Sequence, residues 1–242
     1  MEESAAAIVL AAGSSRRMGQ DKILLSIAGR PLLAYALDAF ETCDKVDQVV
    51  VVLSSDNAAD ILPLLSEYPK VVRTCMGGRR RQDSVRAGLH TIAPREWVVV
   101  HDGARPLVTP ELIQSGIKAA AETGAASAAL PVVETLKEAD SLSIVRKTVS
   151  RDRLWTVQTP QVFRYDLLLR AHNAAIADVT DDCALVEQIG VAVKLFPGSR
   201  ANLKVTTPED IAIVEAIIHA QHPRRRTAPR HPATKSPRTS RE

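Results

Sequence analysis

Aromatic residues are scarce in this chain. Three Phe, three Tyr and two Trp make up 3% of 242 residues, so Ala, Val, Leu and Ile must fill the core. Long apolar runs are absent, and nothing approaches the ~20 residues needed to span a bilayer. Cysteine is limited to Cys43, Cys75 and Cys183, scattered and odd in number. That excludes a disulfide framework and zinc-type spacing, and it fits a reducing, cytoplasmic compartment. The first residues, Met1-Glu-Glu-Ser, carry no basic leader region, so no signal peptide is expected. No internal repeat is visible. Neither a Gly-Lys-Ser/Thr phosphate loop nor a G-x-G-x-x-G dinucleotide turn occurs.

Charge is unevenly placed. The formal net charge is +3, but residues 221–242 hold seven Lys/Arg and one acid. The rest carries 24 basic against 27 acidic residues, a net of −3, so the body is mildly acidic. The basic balance is therefore no argument for a nucleic-acid-binding domain. Residues 222–242 are rich in Pro and Arg and lack large apolar side chains, which predicts a disordered tail. A domain over 1–221 is expected to precede it.

With 45% hydrophobic and 24% charged residues, that domain has an ordinary globular composition. Apolar strands are predicted at Ala5–Leu10, Val49–Leu53, Val71–Cys75, Trp97–His101, Ala125–Leu130 and Ala192–Phe196. Helices are predicted after Gly29-Arg-Pro31, over Ala58–Tyr68 with a kink at Pro63, from Gln82, over Pro110–Thr123, over Tyr165–Ala177, after Asp181 and Asp182, and from Pro208 with Thr207 as its cap. Alternating, near-continuously apolar strands and helices imply an α/β fold, Rossmann-like, with a mostly parallel sheet and helices on both faces. Around 132–149 the pattern changes to two short strands about Ala139-Asp-Ser-Leu, an inserted β-hairpin arm.

Three polar, glycine-containing loops (11–22, 76–84 and 102–106) follow C-terminal strand ends, where open α/β sheets bind ligands. The first is Ile8-Val-Leu-Ala-Ala-Gly-Ser-Ser-Arg-Arg-Met-Gly-Gln-Asp-Lys22. Its small residues let backbone N–H groups approach an anion while Arg16, Arg17 and Lys22 supply charge, which outlines a triphosphate site. Asp102, directly after a buried strand, offers a hard oxygen ligand for Mg²⁺ shared with phosphates, or a cap for the following turn.

The first loop resembles the N-terminal signature of sugar-phosphate and alditol-phosphate nucleotidyltransferases. Four later strings narrow this: Val100-His-Asp-Gly-Ala-Arg-Pro106, Thr148-Val-Ser-Arg-Asp-Arg-Leu-Trp155, Gln158-Thr-Pro-Gln161 and Asn202-Leu-Lys-Val-Thr-Thr-Pro-Glu-Asp210. Together, from about Ala6 to His219, they resemble the 2-C-methyl-D-erythritol 4-phosphate cytidylyltransferase family. The resemblance implies a chain that joins CTP to a sugar-alcohol phosphate with a divalent cation. It makes Arg17 and Lys22 catalytic. It places Ala11, Ala12, Gly13, Gly78, Arg81 and Ser84 at the nucleotide, although Ser84 equally suits a helix cap. It places Arg151, Lys204, Thr135, Thr159, Thr180, Asp102 and Arg105 at the methylerythritol phosphate, although Arg105 equally suits a structural salt bridge. It also implies a homodimer clasped through the arm, without membrane or nucleic-acid partners.

Two positions depart from the family pattern: Ser15 where glycine is usual, and Gly103 where alanine is usual. Gly103 is expected to loosen the residue after Asp102. His101 needs no catalytic role, and a strand-end hydrogen bond suits it better. Ribitol-phosphate cytidylyltransferases and molybdopterin guanylyltransferases share the first loop, and a non-catalytic nucleotide-binding module is a further alternative. The strings around Arg151 and Lys204 favour the erythritol family.

Overall fold

The computed structural model describes residues 4–13 and 22–221, and the expected tail at 222–242 lies outside them. Seven strands form one sheet in the order β11-β7-β10-β6-β1-β4-β5. These are β1 (Ala5–Leu10), β4 (Val46–Leu53), β5 (Val71–Met76), β6 (Trp97–Asp102), β7 (Ala125–Pro131), β10 (Trp155–Arg164) and β11 (Lys194–Pro197). β1 pairs in parallel with β4 and β6, β4 with β5, and β7 with β11. Only β10 runs antiparallel, between β6 and β7.

The period-2 geometry of a strand explains why the central runs are apolar throughout. Ala5, Ala7, Val9, Val49, Val51 and Val99 face one cluster; Ala6, Ile8, Val50, Val52, Val98 and Val100 face the other. Helices α1 (Leu32–Thr42), α2 (Ala58–Leu65), α4 (Pro110–Thr123) and α7 (Pro208–Gln221) cover the first face. Helices α3 (Arg81–Thr91), α5 (Tyr165–Ala174) and α6 (Asp182–Gln188) cover the second. Each fully buried Val, Leu or Ile contributes about 1.5–3 kcal/mol relative to exposure, so aliphatics replace the missing aromatics.

Local signals work as their chemistry requires. Helix α4 starts where the Thr109 side chain accepts from the Leu112 amide, takes Pro110 in its first turn, and ends at Gly124 with φ 88°. Helix α7 is entered through Asp210, whose carboxylate accepts from the Thr206 and Thr207 amides at 2.7 and 2.9 Å. Helices α2 and α5 each stop three residues before the expected end. Two short strands, β2 (Ser26–Ile27) and β3 (Arg30–Pro31), form an unanticipated hairpin that leads into α1.

The arm is present. β8 (Leu136–Ala139) and β9 (Val145–Val149) pair antiparallel, with Leu136 opposite Val149. Asp140 organises the turn by accepting from the Leu142 and Ile144 amides at 3.0 and 2.9 Å. Strand β10 is the element the sequence reading missed altogether, and its side chains prove central to the site.

Gly88 of α3 lies so close to β1 that an added Cβ would fall 2.6 Å from Ile8 Cγ2. Alanine would gain ~1 kcal/mol of helix propensity. Ile8 is β-branched and sits on a central strand, so it cannot swing away. We expect Gly88→Ala to lower stability by about 1–2 kcal/mol net, seen as a lower urea midpoint at unchanged slope. A raised midpoint would show that the helix and sheet separate freely there.

Candidate active site

The strand order reverses at β1, and the crevice opens where Leu10 and Asp102 stand side by side at the ends of β1 and β6. The Asp102 backbone is fixed by three hydrogen bonds. Its N–H donates to Thr159 Oγ1 at 3.0 Å, its carbonyl accepts from the Arg105 amide at 2.9 Å, and the Gly103 amide donates to Leu10 O at 2.9 Å. Its carboxylate accepts from Arg81 Nε at 3.2 Å and Lys204 Nζ at 2.8 Å. Burial opposes ionisation of Asp102, but the charges of Arg81 and Lys204 outweigh it and hold the group well below the usual carboxylate range. The carboxylate is therefore a fixed negative charge at neutral pH.

Arg81 is held at both ends. Its Nη1 donates to Asp182 Oδ2 at 2.6 Å, and the other Asp182 oxygen meets His172 Nε2 at 2.9 Å. Asp182 and His172 are both buried. A continuous line of groups results: His172, Asp182, Arg81, Asp102, Lys204. Among the described residues, Arg81 Nη2 and Arg105 Nε are buried donors without a hydrogen-bond partner. Such donors are costly unless a ligand takes them.

The two loops expected at the nucleotide touch each other. Ala11 is buried; its N–H donates to Val52 O and its carbonyl accepts from Asn57 Nδ2, both at 2.8 Å. The second loop passes so close that a Cβ on Gly77 would lie 2.5 Å from Ala12 Cβ, and one on Gly78 2.3 Å from Asp83 Cβ. Both positions require glycine. Gly13 is exposed at the end of the described segment. Ser84 Oγ accepts from the Gly78 amide at 3.2 Å and contacts Arg80 O at 3.3 Å, so it resolves as the brace of this loop. Arg79 and Arg80 are exposed.

Of the expected substrate residues, Asp102, Thr159 and Lys204 are brought together. Thr159 is buried, with its hydroxyl engaged by the Asp102 amide and by His101 Nδ1 at 3.1 Å. Its hydroxyl supports the Asp102 turn. Among the described residues Arg105 forms no salt bridge; its Nη1 donates to Asn202 O at 2.8 Å. Thr180 is exposed on the connection between α5 and α6. Arg151 and Thr135 lie exposed at the arm, where Arg151 donates to Val133 O, apart from the Asp102 cluster.

The looseness expected at Gly103 is also corrected. A Cβ there would sit 3.0 Å from both Leu10 O and Leu33 Cδ1, and 3.6 Å from Ile23 Cδ1. The glycine is a tight packing point. Ile23 reaches it from a 3₁₀ turn spanning Lys22–Leu24. Arg17, Arg16 and Ser15 lie outside the described residues.

Sequence reasoning missed Asp182, His172, Gln82, Gln158, Gln161 and Asn202, all of which are buried. Gln158 Nε2 donates to Ser199 O at 3.0 Å and Asn202 Nδ2 to Thr159 O at 2.8 Å, which seats the Lys204 loop on β10. The one available signal was polarity out of place: Gln158-Thr-Pro-Gln161 interrupts an otherwise apolar strand.

The sequence model of the family described as 2-C-methyl-D-erythritol 4-phosphate cytidylyltransferase (IspD) matches residues 5–220. A relative of that name from Dehalococcoides mccartyi (strain CBDB1) is 43% identical over 221 residues, covering 90% of this chain and 97% of that protein. Another, from Pelotomaculum thermopropionicum, is 44% identical over 231 residues, covering 92% and 97%. The crystal structure of 4-diphosphocytidyl-2C-methyl-D-erythritol synthase from Anaerococcus prevotii superposes with a TM-score of 0.80 at 31% identity, covering 90% of this chain and 97% of that one.

His101 makes the strand-end hydrogen bond expected of it, to Arg105 O at 3.1 Å. Burial pushes its pKa down to about 4, so it is neutral at pH 7. Between pH 6.5 and 4 the unfolded chain binds a proton there that the folded chain refuses. Stability should therefore fall with pH across that window, by up to ~3 kcal/mol, and be flat in this respect above it. Urea denaturation in steps from pH 7 to 4.5, on wild type and His101→Gln, checks this. Equal pH slopes in the two chains would refute it.

Proposed function

Because the chain belongs to the 2-C-methyl-D-erythritol 4-phosphate cytidylyltransferase family, we propose that it transfers CMP from CTP to 2-C-methyl-D-erythritol 4-phosphate. The products are 4-diphosphocytidyl-2-C-methyl-D-erythritol and pyrophosphate. The observation that carries the reading is the convergence of Ala12, the Gly77–Gly78 loop with Arg81, and the Asp102–Lys204 pair on one crevice, in a chain matched to the family over 5–220. Pyrophosphate release from CTP, with and without the erythritol phosphate, tests it directly. Release from ribitol phosphate or GTP instead would point to the neighbouring nucleotidyltransferases.

The chemistry needs no protein nucleophile. A phosphate oxygen of the erythritol substrate attacks the α-phosphorus of CTP, the bond to the bridging oxygen breaks, and pyrophosphate leaves. The protein's task is to align two polyanions and to neutralise charge on the α-phosphoryl oxygens. In this reading the backbone of Ala11–Gly13 and Gly78 approaches the triphosphate, and Arg17 and Lys22 stabilise the transition state. Arg81 Nη2 and Arg105 Nε are the buried donors that ligand oxygens would complete. Lys204 and Arg151 would hold the erythritol phosphate and Asp102 its hydroxyls. His101, neutral and enclosed, serves only to fix the Asp102 turn.

The donor set suits Mg²⁺ only as a cation shared with the triphosphate. Among the described residues no three His, Cys, Asp or Glu side chains converge. Asp102 would supply one hard oxygen, with phosphates and water completing the shell, and the ion would polarise the phosphoryl oxygens.

The arm supports a two-fold dimer. Val133, Leu142, Ile144, Val145, Leu154, Trp155 and Val157 are large apolar side chains exposed on it and at its root, Leu142 by 80%. A hairpin alone is marginal in water and gains stability from a partner surface. In a dimer the arm would carry Arg151 and Thr135 to the neighbour's site, which accounts for their distance from their own Asp102 cluster. Among the described residues no helix is long and apolar enough to cross a membrane. The three free thiols fit a cytoplasmic enzyme.

Two outcomes follow. Lys22→Ala should reduce kcat about 10²–10³-fold with a far smaller effect on CTP binding, as loss of a transition-state charge contact does; near-normal kcat would remove Lys22 from the mechanism. Arg151→Ala and Lys22→Ala should each be nearly inactive as homodimers. Their purified heterodimer, prepared with two tags, should recover about half the wild-type activity, because one site carries both defects and the other none. A heterodimer as inactive as its parents would place Arg151 in its own subunit's site.

A further inference from the structure

Residues 175–181, between α5 and α6, carry Thr180 and have little to hold them. Among the described residues, 176–180 make no hydrogen bond to other backbone groups outside helices and strands, and Ile176 is 98% exposed. Ala175 and Val179 are partly buried against the second core cluster, and among the described residues the backbone of 177–179 is held by a side chain from a distant part of the sequence. Gln82, in the first turn of α3, accepts from the Val179 amide through Oε1 at 3.0 Å and donates from Nε2 to Ala177 O at 3.3 Å. Gln82 is itself buried. A primary amide carries its donor and acceptor on separate atoms and can satisfy an N–H and a C=O two residues apart at once.

The neighbouring contacts make this a clasp. Arg81 grips Asp182 on the far side of the connection, and Gln161 Nε2 donates to Asp181 Oδ2 at 2.8 Å from β10. The next turn of α3 carries Ser84, which braces the Gly78 loop. One helix start therefore faces two ways, toward the nucleotide loop and toward the connection that presents Thr180.

We infer that Gln82 is a positioning residue: it sets the 175–181 connection, and with it Thr180, against the nucleotide loop, and so governs recognition of the sugar-alcohol phosphate without touching it. The kinetic consequence rests on the substrate reading above; the structural consequence does not. Without the amide, Thr180 samples many positions, and the second substrate must order the loop on binding.

Gln82→Met keeps the bulk and burial but removes both hydrogen bonds. Gln82→Glu keeps the acceptor for Val179 and loses the donor. In the Met chain, amide hydrogen exchange at Val179 should speed at least tenfold while β1 and β6 stay protected. KM for methylerythritol phosphate should rise about tenfold, with KM for CTP and kcat within twofold, and the Glu chain should fall between. Unchanged exchange at Val179 overturns the tether whatever the activity. Faster exchange with an unchanged KM for the erythritol phosphate overturns the recognition role. A proportional change in both KM values and kcat, with a drop in Tm, reduces Gln82 to a structural residue. A wild-type chain inactive on CTP and methylerythritol phosphate would overturn the substrate reading and, with it, the kinetic role assigned to Gln82, while the exchange measurement still decides the tether.

Discussion

The carboxylate of Asp102 holds this crevice together. It ends the strand beside β1, and its two oxygens bind cations from places 21 residues before it and 102 residues after it. Arg81 comes from the nucleotide-loop helix and Lys204 from the loop after β11. A carboxylate taken from water pays a desolvation penalty that a single poorly placed partner does not offset. Here two cations, the Thr159 hydroxyl behind the backbone and the second anchor of Arg81 on Asp182 make the arrangement self-consistent. Removing any one member leaves a buried charge exposed to the others' field.

The same constraint explains why so many neutral polar groups are buried around it. Gln158, Asn202 and Gln161 do not face the crevice as reactive groups. They join backbone segments that bring the charges to their distances. Neutral amides carry out this joining at lower desolvation cost than ions would. The charged line therefore rests on an uncharged frame, and β10 supplies most of that frame.

The parallel part of the fold was legible because both faces of β1, β4 and β6 are covered, which makes Ala5–Leu10, Val49–Leu53 and Trp97–Val100 apolar without interruption. The loops that end these strands announced the site by the same logic. Strand β10 was not legible, since Gln158, Thr159 and Gln161 point their amides and hydroxyl at other loops and break any apolar pattern. Asp182 and His172 read locally as a helix start and a helix end. The pairing of Asp182 with Arg81 depends on a partner about a hundred residues away, which spacing along a chain cannot express. Ser84 and Thr159 were found by resemblance, but what their hydroxyls do was decided by packing.

The position of β10 has a further bearing on the arm. Strands β7 and β10 are antiparallel neighbours, so the arm is topologically nothing more than an overgrown turn between two adjacent strands. Its ends stay a strand spacing apart whatever happens at its tip. Lengthening such a turn costs only about 0.6 kcal/mol per doubling and shifts no residue of the sheet. The arm can thus be lengthened, shortened or resurfaced while the floor of the crevice keeps its register. Variation at the arm's tip and constancy in the crevice are separated by a single pair of hydrogen-bonded strands.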